Sequence, residues 1–277
     1  FDPDHIHIAT EGPLGLAARR HCLRYGLDFT TSYHTQFPEY LRERLPIPLG
    51  ISYRLMRKFH GKAQQTMVPT NQMRELLLSR GFQDVVLWER GVDTTIFHPE
   101  AASPEVPERD AGRPVWVYAG RVAVEKNLAA CLDLDLPGTK RVIGDGPQMA
   151  EFKVRYPDVE FVGYRFGDEL AAFVADSDVF VFPSVTDTFG LVMLEAMACG
   201  LPVAAFPVTG PIDVVKPGIT GVLDEDLRTA ALGALELGGG HCRDEALGRT
   251  WRRATEQFFG NLVPARPANG LICDETI

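Results

Sequence analysis

Apolar positions fall into short runs of strand length, separated by stretches of helical length with polar turns between them. His5-Ile6-His7-Ile8-Ala9-Thr10 reads as a strand, and Glu11-Gly12-Pro13-Leu14-Gly15 as a turn whose proline opens a helix. Residues 16–25 predict that helix, and Phe29 to Tyr33 a second strand running into His34-Thr35-Gln36-Phe37-Pro38. Residues 39–62 predict helix broken by Pro46, Pro48 and Gly50. Thr66 to Thr70 is a short strand, Asn71 to Arg80 a helix with Asn71 as its cap, and Asp84 to Trp88 another strand. Such alternation predicts a parallel sheet covered by helices.

Residues 98–114 carry four prolines and no apolar period, which reads as a linker. Beyond them the alternation resumes. Strands are expected at 115–119, 140–143, 159–162, 179–183 and 202–206, with helices at 128–132, 148–156, 168–175 and 191–199. The strands are apolar on both faces, as buried parallel strands should be. The predicted fold class is therefore α/β with two parallel-sheet lobes: a first lobe over 1–97, the linker, and a second lobe over 115–240. A helix at 241–262 and a loose tail at 263–277 follow.

The chain has 277 residues, 45% hydrophobic and 23% charged, as an ordinary folded protein does. No apolar run reaches membrane-spanning length. A net charge of −9 argues against a surface that grips nucleic acid, so no nucleic-acid partner is expected. Cys22, Cys131, Cys199, Cys242 and Cys273 are scattered and never spaced as CxxC, which reads as reduced thiols in a cytoplasmic protein. The chain opens on Phe1 without a targeting segment, and the reading expects that further residues precede it.

Candidate chemistry collects at predicted strand ends. Gly120-Arg121 to Glu125-Lys126 follows one strand, where glycine permits close backbone approach and the two cations can converge on an anion. Gly144-Asp145-Gly146-Pro147 forms a tight turn after the next, and matches neither the dinucleotide fingerprint nor the P-loop. The stretch Phe182 to Val203 ends a buried strand, passes through a polar loop holding Asp187, and opens a helix at Gly190 with Glu195 on its second turn. Two carboxylates and free helix N–H groups at one rim suit sugar hydroxyls beside a phosphate. His5 and His7 share a strand face without a third ligand, and no metal site is expected. Trp251 reads as a packing residue.

This string resembles the E-x7-E signature of retaining, nucleotide-sugar-dependent glycosyltransferases of group 1, which have the GT-B architecture of two Rossmann-like lobes facing a cleft. Arg90-Gly91-Val92-Asp93 and Phe97-His98-Pro99 agree with it, as do the two glycine turns. Thr10 to Gly15 and Tyr33 to Pro38 are similar to the GDP-mannose-dependent α-mannosyltransferases. The resemblance implies transfer of a hexose, mannose by preference, from a nucleotide sugar to a lipid or glycan acceptor, with retention and without a metal or other cofactor. It implies that Arg121 and Lys126 hold the diphosphate, Asp187 the sugar hydroxyls and Glu195 the ribose. Gly144 and the backbone of Phe189, Gly190 and Leu191 line the donor site, the base lies near Val162 and Tyr164, and His34 approaches the donor sugar.

Two departures stand out. Asp187 replaces a glutamate, and the glycine-rich loop expected after the family's first strand is absent from the chain, so the first lobe reads as incomplete. UDP-sugar transfer, a sugar-nucleotide epimerase and an inactive nucleotide-binding fragment are the alternatives. Between Leu41 and Lys62, six cations face the single Glu43 among interleaved apolar residues. That segment reads either as packed helices or as a peripheral contact with the inner, anionic membrane face.

Overall fold

The computed structural model describes residues 3–265, apart from 45, 46, 102, 108, 110 and 111 and the side chains of 40, 41, 43 and 44. The chain divides into two units, 1–89 with 255–277, and 90–254. The expected tail beyond Ala265, with Cys273, lies outside the described residues.

The first unit runs β1 (His7–Ile8), α1 (Pro13–Tyr25), β2 (Thr30–Ser32), α2 (Phe37–Arg44), α3 (Leu49–His60), β3 (Gln65–Val68), α4 (Asn71–Ser79) and β4 (Val85–Leu87). Its strands are parallel, in the order β1-β2-β3-β4. One face is packed by Tyr33, Tyr53, Met73 and Leu77, all buried. Two local expectations change. The cap of α4 is Thr70, whose extended backbone lets its hydroxyl accept from the Met73 N–H at 3.1 Å, so Asn71 is already helical. Gly50 lies inside the first turn of α3, which Pro48 precedes with extended backbone, so the glycine breaks nothing.

The second unit continues with β5 (Val115–Ala119), a 3-10 turn (Val124–Lys126), α5 (Leu128–Leu132), β6 (Thr139–Ile143), α6 (Met149–Arg155), β7 (Glu160–Gly163), α7 (Gly167–Ala175) and β8 (Val179–Phe182). Then come α8 (Leu191–Ala198), β9 (Val203–Ala205), α9 (Pro211–Val214), β10 (Gly221–Leu223), α10 (Leu227–Leu237), α11 (Gly240–Leu247) and α12 (Trp251–Gly260). The six strands are parallel in the order β10-β9-β8-β5-β6-β7. This is the doubly wound arrangement, in which the strand order reverses between β5 and β8. Side chains alternate across it as the pleat requires. Val117, Ala119, Phe180 and Phe182 pack with α8, while Trp116, Tyr118, Val179 and Val181 pack with α5 and α10.

The boundaries differ from the sequence expectation in three places. Residues 90–97 belong to the second unit, because Val92 and Phe97 are buried in its core. The single helix expected at 241–262 is two, α11 and α12, and α12 passes from the second unit into the first. The elements α9, β10 and α10 lie where the pattern had predicted none. Segment 90–97 is fixed by Arg243 on α11, which donates to the carbonyls of Thr94 (3.1 Å), Phe97 (2.6 Å) and Ala198 (2.6 Å).

Arg243→Ala would leave those three carbonyls without their charged donor, at about 1–3 kcal/mol for each one that stays dry. Urea unfolding should report a loss of about 3 kcal/mol or more. A change below about 1 kcal/mol would mean that water replaces the guanidinium.

Candidate active site

Open parallel sheets leave a crevice beyond the carboxyl ends of the strands where their order reverses. Here that crevice is a cavity of about 520 Å³ in the second unit, bounded by loops after β5, β6 and β7 and by α8. Its floor is backbone. Gly120 and Gly144 have φ of 154° and 141°, and a Cβ on Gly144 would lie 1.9 Å from the Gly120 carbonyl oxygen. The loops are joined by Gly120 N–H to Ile143 O (2.9 Å), Gly144 N–H to Gly163 O (2.8 Å) and Val122 N–H to Asp145 O (2.9 Å).

Of the residues expected at the site, Arg121, Gly144, Tyr164 and Glu195 line this cavity. The Arg121 side chain is 63% exposed and lies 3.5 Å from Glu125. Tyr164 is also exposed, its ring 6.2 Å from that of Phe166. Val162 is half-buried in β7 and packs into the core instead of facing the cavity. Phe189 is buried in the same core, so its backbone alone is available for binding, and Leu191 packs partly buried against that core. Gly190 caps α8 with φ of 79°, a position where a Cβ would strike Met193 and Phe182. With glycine as its cap, the cap residue itself offers no side-chain hydrogen bond to the first N–H groups of that helix.

Lys126 and Arg121, expected to converge, take different partners. The Lys126 ammonium lies 2.6 Å from Oδ1 of Asp187, both side chains three-quarters buried or more. Two further bonds bind the same loops, Asn127 Nδ2–H to Pro183 O at 3.1 Å and the Thr186 hydroxyl to Glu125 O at 3.3 Å. The other oxygen of Asp187 is buried without a hydrogen-bond partner among the described residues, as is the hydroxyl of Ser184. His34 belongs to the first unit, where its ring meets that of Trp88 at 5.3 Å.

Sequence reasoning missed the apolar wall of the cavity, formed by Ile96, Phe97, Phe166, Leu170 and Val192. Of these, Phe97 and Val192 stood in quoted motifs, without a role of their own. The pairing of Lys126 with Asp187 joins positions 61 apart, which no spacing rule reaches.

Glu195 is the electrostatic anomaly. Burial pushes its carboxyl up to about 7, and no hydrogen bond to it is made among the described residues. A raised acid pKa means that the folded chain holds a proton which the unfolded chain releases at lower pH. Stability is therefore lost as pH rises from about 4.5 to about 7. Glu195→Gln removes that titration. Its unfolding free energy should exceed the parent's at pH 8 by an amount that vanishes below pH 4.5, with a gap of order a few kcal/mol. Parallel stability–pH curves for the two proteins would contradict the assignment.

Comparison with known proteins agrees with this architecture. Residues 113–236 match the glycosyl transferases group 1 family, and residues 1–96 match glycosyltransferase family 4. A GDP-mannose-dependent alpha-mannosyltransferase of Mycobacterium tuberculosis is 34% identical over 80% of this chain and 60% of its own. One from Mycolicibacterium smegmatis is 31% identical over 94% and 73%. The sulfoquinovosyl transferase SQD2 of Arabidopsis thaliana is 32% identical over 93% and 56%. The chain thus spans somewhat over half to three-quarters of the length of these relatives. Among solved structures, sucrose-phosphate synthase from Thermosynechococcus elongatus superposes with a TM-score of 0.74 at 23% identity, over 92% of this chain and 72% of that one. Anabaena HepE in complex with UDP and glucose gives 0.72 at 17%, over 92% and 76%, which supports the fold alone. The fold is the GT-B kind, and the chain belongs to the glycosyl transferases group 1 family.

Proposed function

We propose that the protein transfers a hexose, mannose from GDP-mannose, to a lipid or glycan acceptor with retention of configuration. The observation that carries this reading is the cavity at the strand reversal. It sets an unpaired carboxylate, Glu195, and a cation, Arg121, around a floor of bare backbone. The donor sugar is taken from the relatives named GDP-mannose-dependent alpha-mannosyltransferases.

In this reading Glu195 accepts hydrogen bonds from the ribose hydroxyls, which favours its charged form against the cost of burial. The base lies near Val162, on the side of Tyr164 and the apolar wall. Asp187 keeps Lys126 on one oxygen and offers the other to a sugar hydroxyl. An ammonium carries three donors, so Lys126 retains two for diphosphate oxygens while paired. Arg121 and the N–H groups at the start of α8 complete the charge stabilisation of the leaving diphosphate, without a metal. His34 is assigned to the donor sugar, as the resemblance implies. A sugar-nucleotide epimerase would instead turn over the donor with no acceptor present.

Calorimetry and rate measurements on the intact protein separate these roles. Lys126→Ala should weaken GDP binding and slow transfer by roughly 10²–10³-fold. Asp187→Asn should spare GDP binding and cut transfer, whereas Glu195→Gln should weaken GDP itself. Equal loss of GDP affinity in all three variants would refute the division of labour. Tighter binding of UDP than of GDP would refute the donor.

A lipid acceptor at an anionic membrane face is favoured by the outer side of α3. Ile51 and Leu55 are 55% and 58% exposed one turn apart, beside the exposed Arg54 and Lys58. No helix among the described residues is long and apolar enough to cross a membrane. Co-sedimentation with vesicles containing anionic lipid, reduced by salt and by Leu55→Glu, is the expected result. Equal recovery in the supernatant with neutral and anionic vesicles would favour a soluble acceptor.

A further inference from the structure

We propose that Trp88 is a positioning residue for His34, holding the imidazole in the orientation its role requires; the inference rests on the assignment of His34 to the donor sugar. Thr30, Ser32 and His34 follow one another at alternate positions along β2 and its continuation, and so share one face of the sheet. On that face lies His7, in register with Thr30. Its Nδ1 is 2.9 Å from the Thr30 hydroxyl and its Nε2 is 3.1 Å from that of Ser32. Trp88 closes the group. Its ring meets His34 at 5.3 Å and 62°, His7 at 5.9 Å and 86°, and Phe258 at 4.7 Å and 43°.

Trp88 is held twice over, its backbone by hydrogen bonds and its ring by the aromatic neighbours. The Trp88 backbone N–H donates to Val68 O at 2.8 Å, as the ladder with β3 requires. On either side of it, Gln257 of α12 and Asn261 just past that helix grip the backbone. Asn261 Nδ2–H donates to Leu87 O at 2.7 Å, and the Glu89 N–H donates to Gln257 Oε1 at 3.0 Å. Gln257 in turn donates to the Glu89 carboxylate at 2.9 Å. Phe258, beside Gln257 on the same helix, covers the ring. Burial lowers the pKa of His7 to about 4, so this support is neutral under ordinary conditions. A rigid, uncharged platform thus ends in an aromatic contact with the one histidine of the group that has a proposed role. Edge-to-face contact fixes the plane of a ring without consuming its hydrogen-bonding nitrogens.

The test uses the intact protein with Trp88→Leu and Trp88→Phe, each alone and combined with His34→Ala. The readouts are the NMR resonance of the His34 Cε1–H and the donor KM and kcat. Trp88→Leu should move the resonance and lower kcat by roughly 10–100-fold with donor KM unchanged, the scale of loss from a misplaced reacting group. Trp88→Phe should move the resonance as well, since the indole is gone, yet restore most of kcat. In the His34→Ala background, Trp88→Leu should cost nothing more, because the two residues act as a unit. An unmoved resonance, or the same fractional loss with and without His34, would overturn the inference. If Trp88→Leu does not fold, the resonance and kcat of Trp88→Phe decide alone, and parental values for both would overturn it. Parental kcat in His34→Ala would remove the assigned role of His34 and the inference with it. A slow His34→Ala beside an unmoved resonance in Trp88→Leu would remove only the role of Trp88.

Discussion

Two backbone segments, at Gly120 and Gly144, lie closer together than any side chain allows, and the cavity of the second unit is built on that contact. A Cβ at 144 would sit 1.9 Å from one carbonyl oxygen, and one at Gly146 would sit 2.3 Å from that of Val122. Sheet hydrogen bonding therefore continues past the strand ends into the loops, through Ile143, Gly163 and Asp145. The consequence is a floor of peptide groups where side chains would otherwise fill the crevice. A phosphorylated ligand can approach such a floor closely, and the cation and carboxylate at its rim need only be aimed at it.

Around that floor the site holds polar groups with hydrogen-bonding capacity to spare. Glu195 is raised to about 7 because nothing compensates its burial. Asp187 has one oxygen on Lys126 and the other buried without a partner among the described residues. Burying a polar group without a partner costs stability, and a ligand that donates hydrogen bonds at those points offsets that cost. Both features suit a ligand that brings hydroxyl donors, as the proposed nucleotide sugar would.

Much of this was legible in the sequence. Helix α5 occupies 128–132 as the pattern predicts, and β5 to β9 fall within a residue or so of their expected bounds, because buried parallel strands are apolar runs bounded by glycine and proline. The stretch from 207 to 242 was not legible. Its helix α10 buries Ala230, Ala231 and Ala234, residues too small to mark an apolar stripe, and β10 is three residues long behind a turn. The last helical stretch hid a break, since Gly248 to Thr250 interrupts two helices that the pattern reads as one. At the site, the sequence marked candidate residues on the loops but not their partners. The contact of Lys126 with Asp187, and that of Trp88 with His34, join elements that only the folded sheet brings together.

The aspartate at 187 takes its meaning from that first contact. A carboxylate arm shorter by one methylene stays close to its own loop, and Lys126 reaches across to it from the loop after β5 at 2.6 Å. Asn127 and Thr186 bind the same two loops from either side, so the cation and the anion are carried by one rigid unit. Neither group is exhausted by the pair, since the ammonium has donors left and the carboxylate has an oxygen left. A ligand that presents phosphate to the one and hydroxyl to the other can bind without breaking the ion pair. The cost of ordering two long-range partners is then met in folding and not at the moment of binding, which is the physical content of preorganisation.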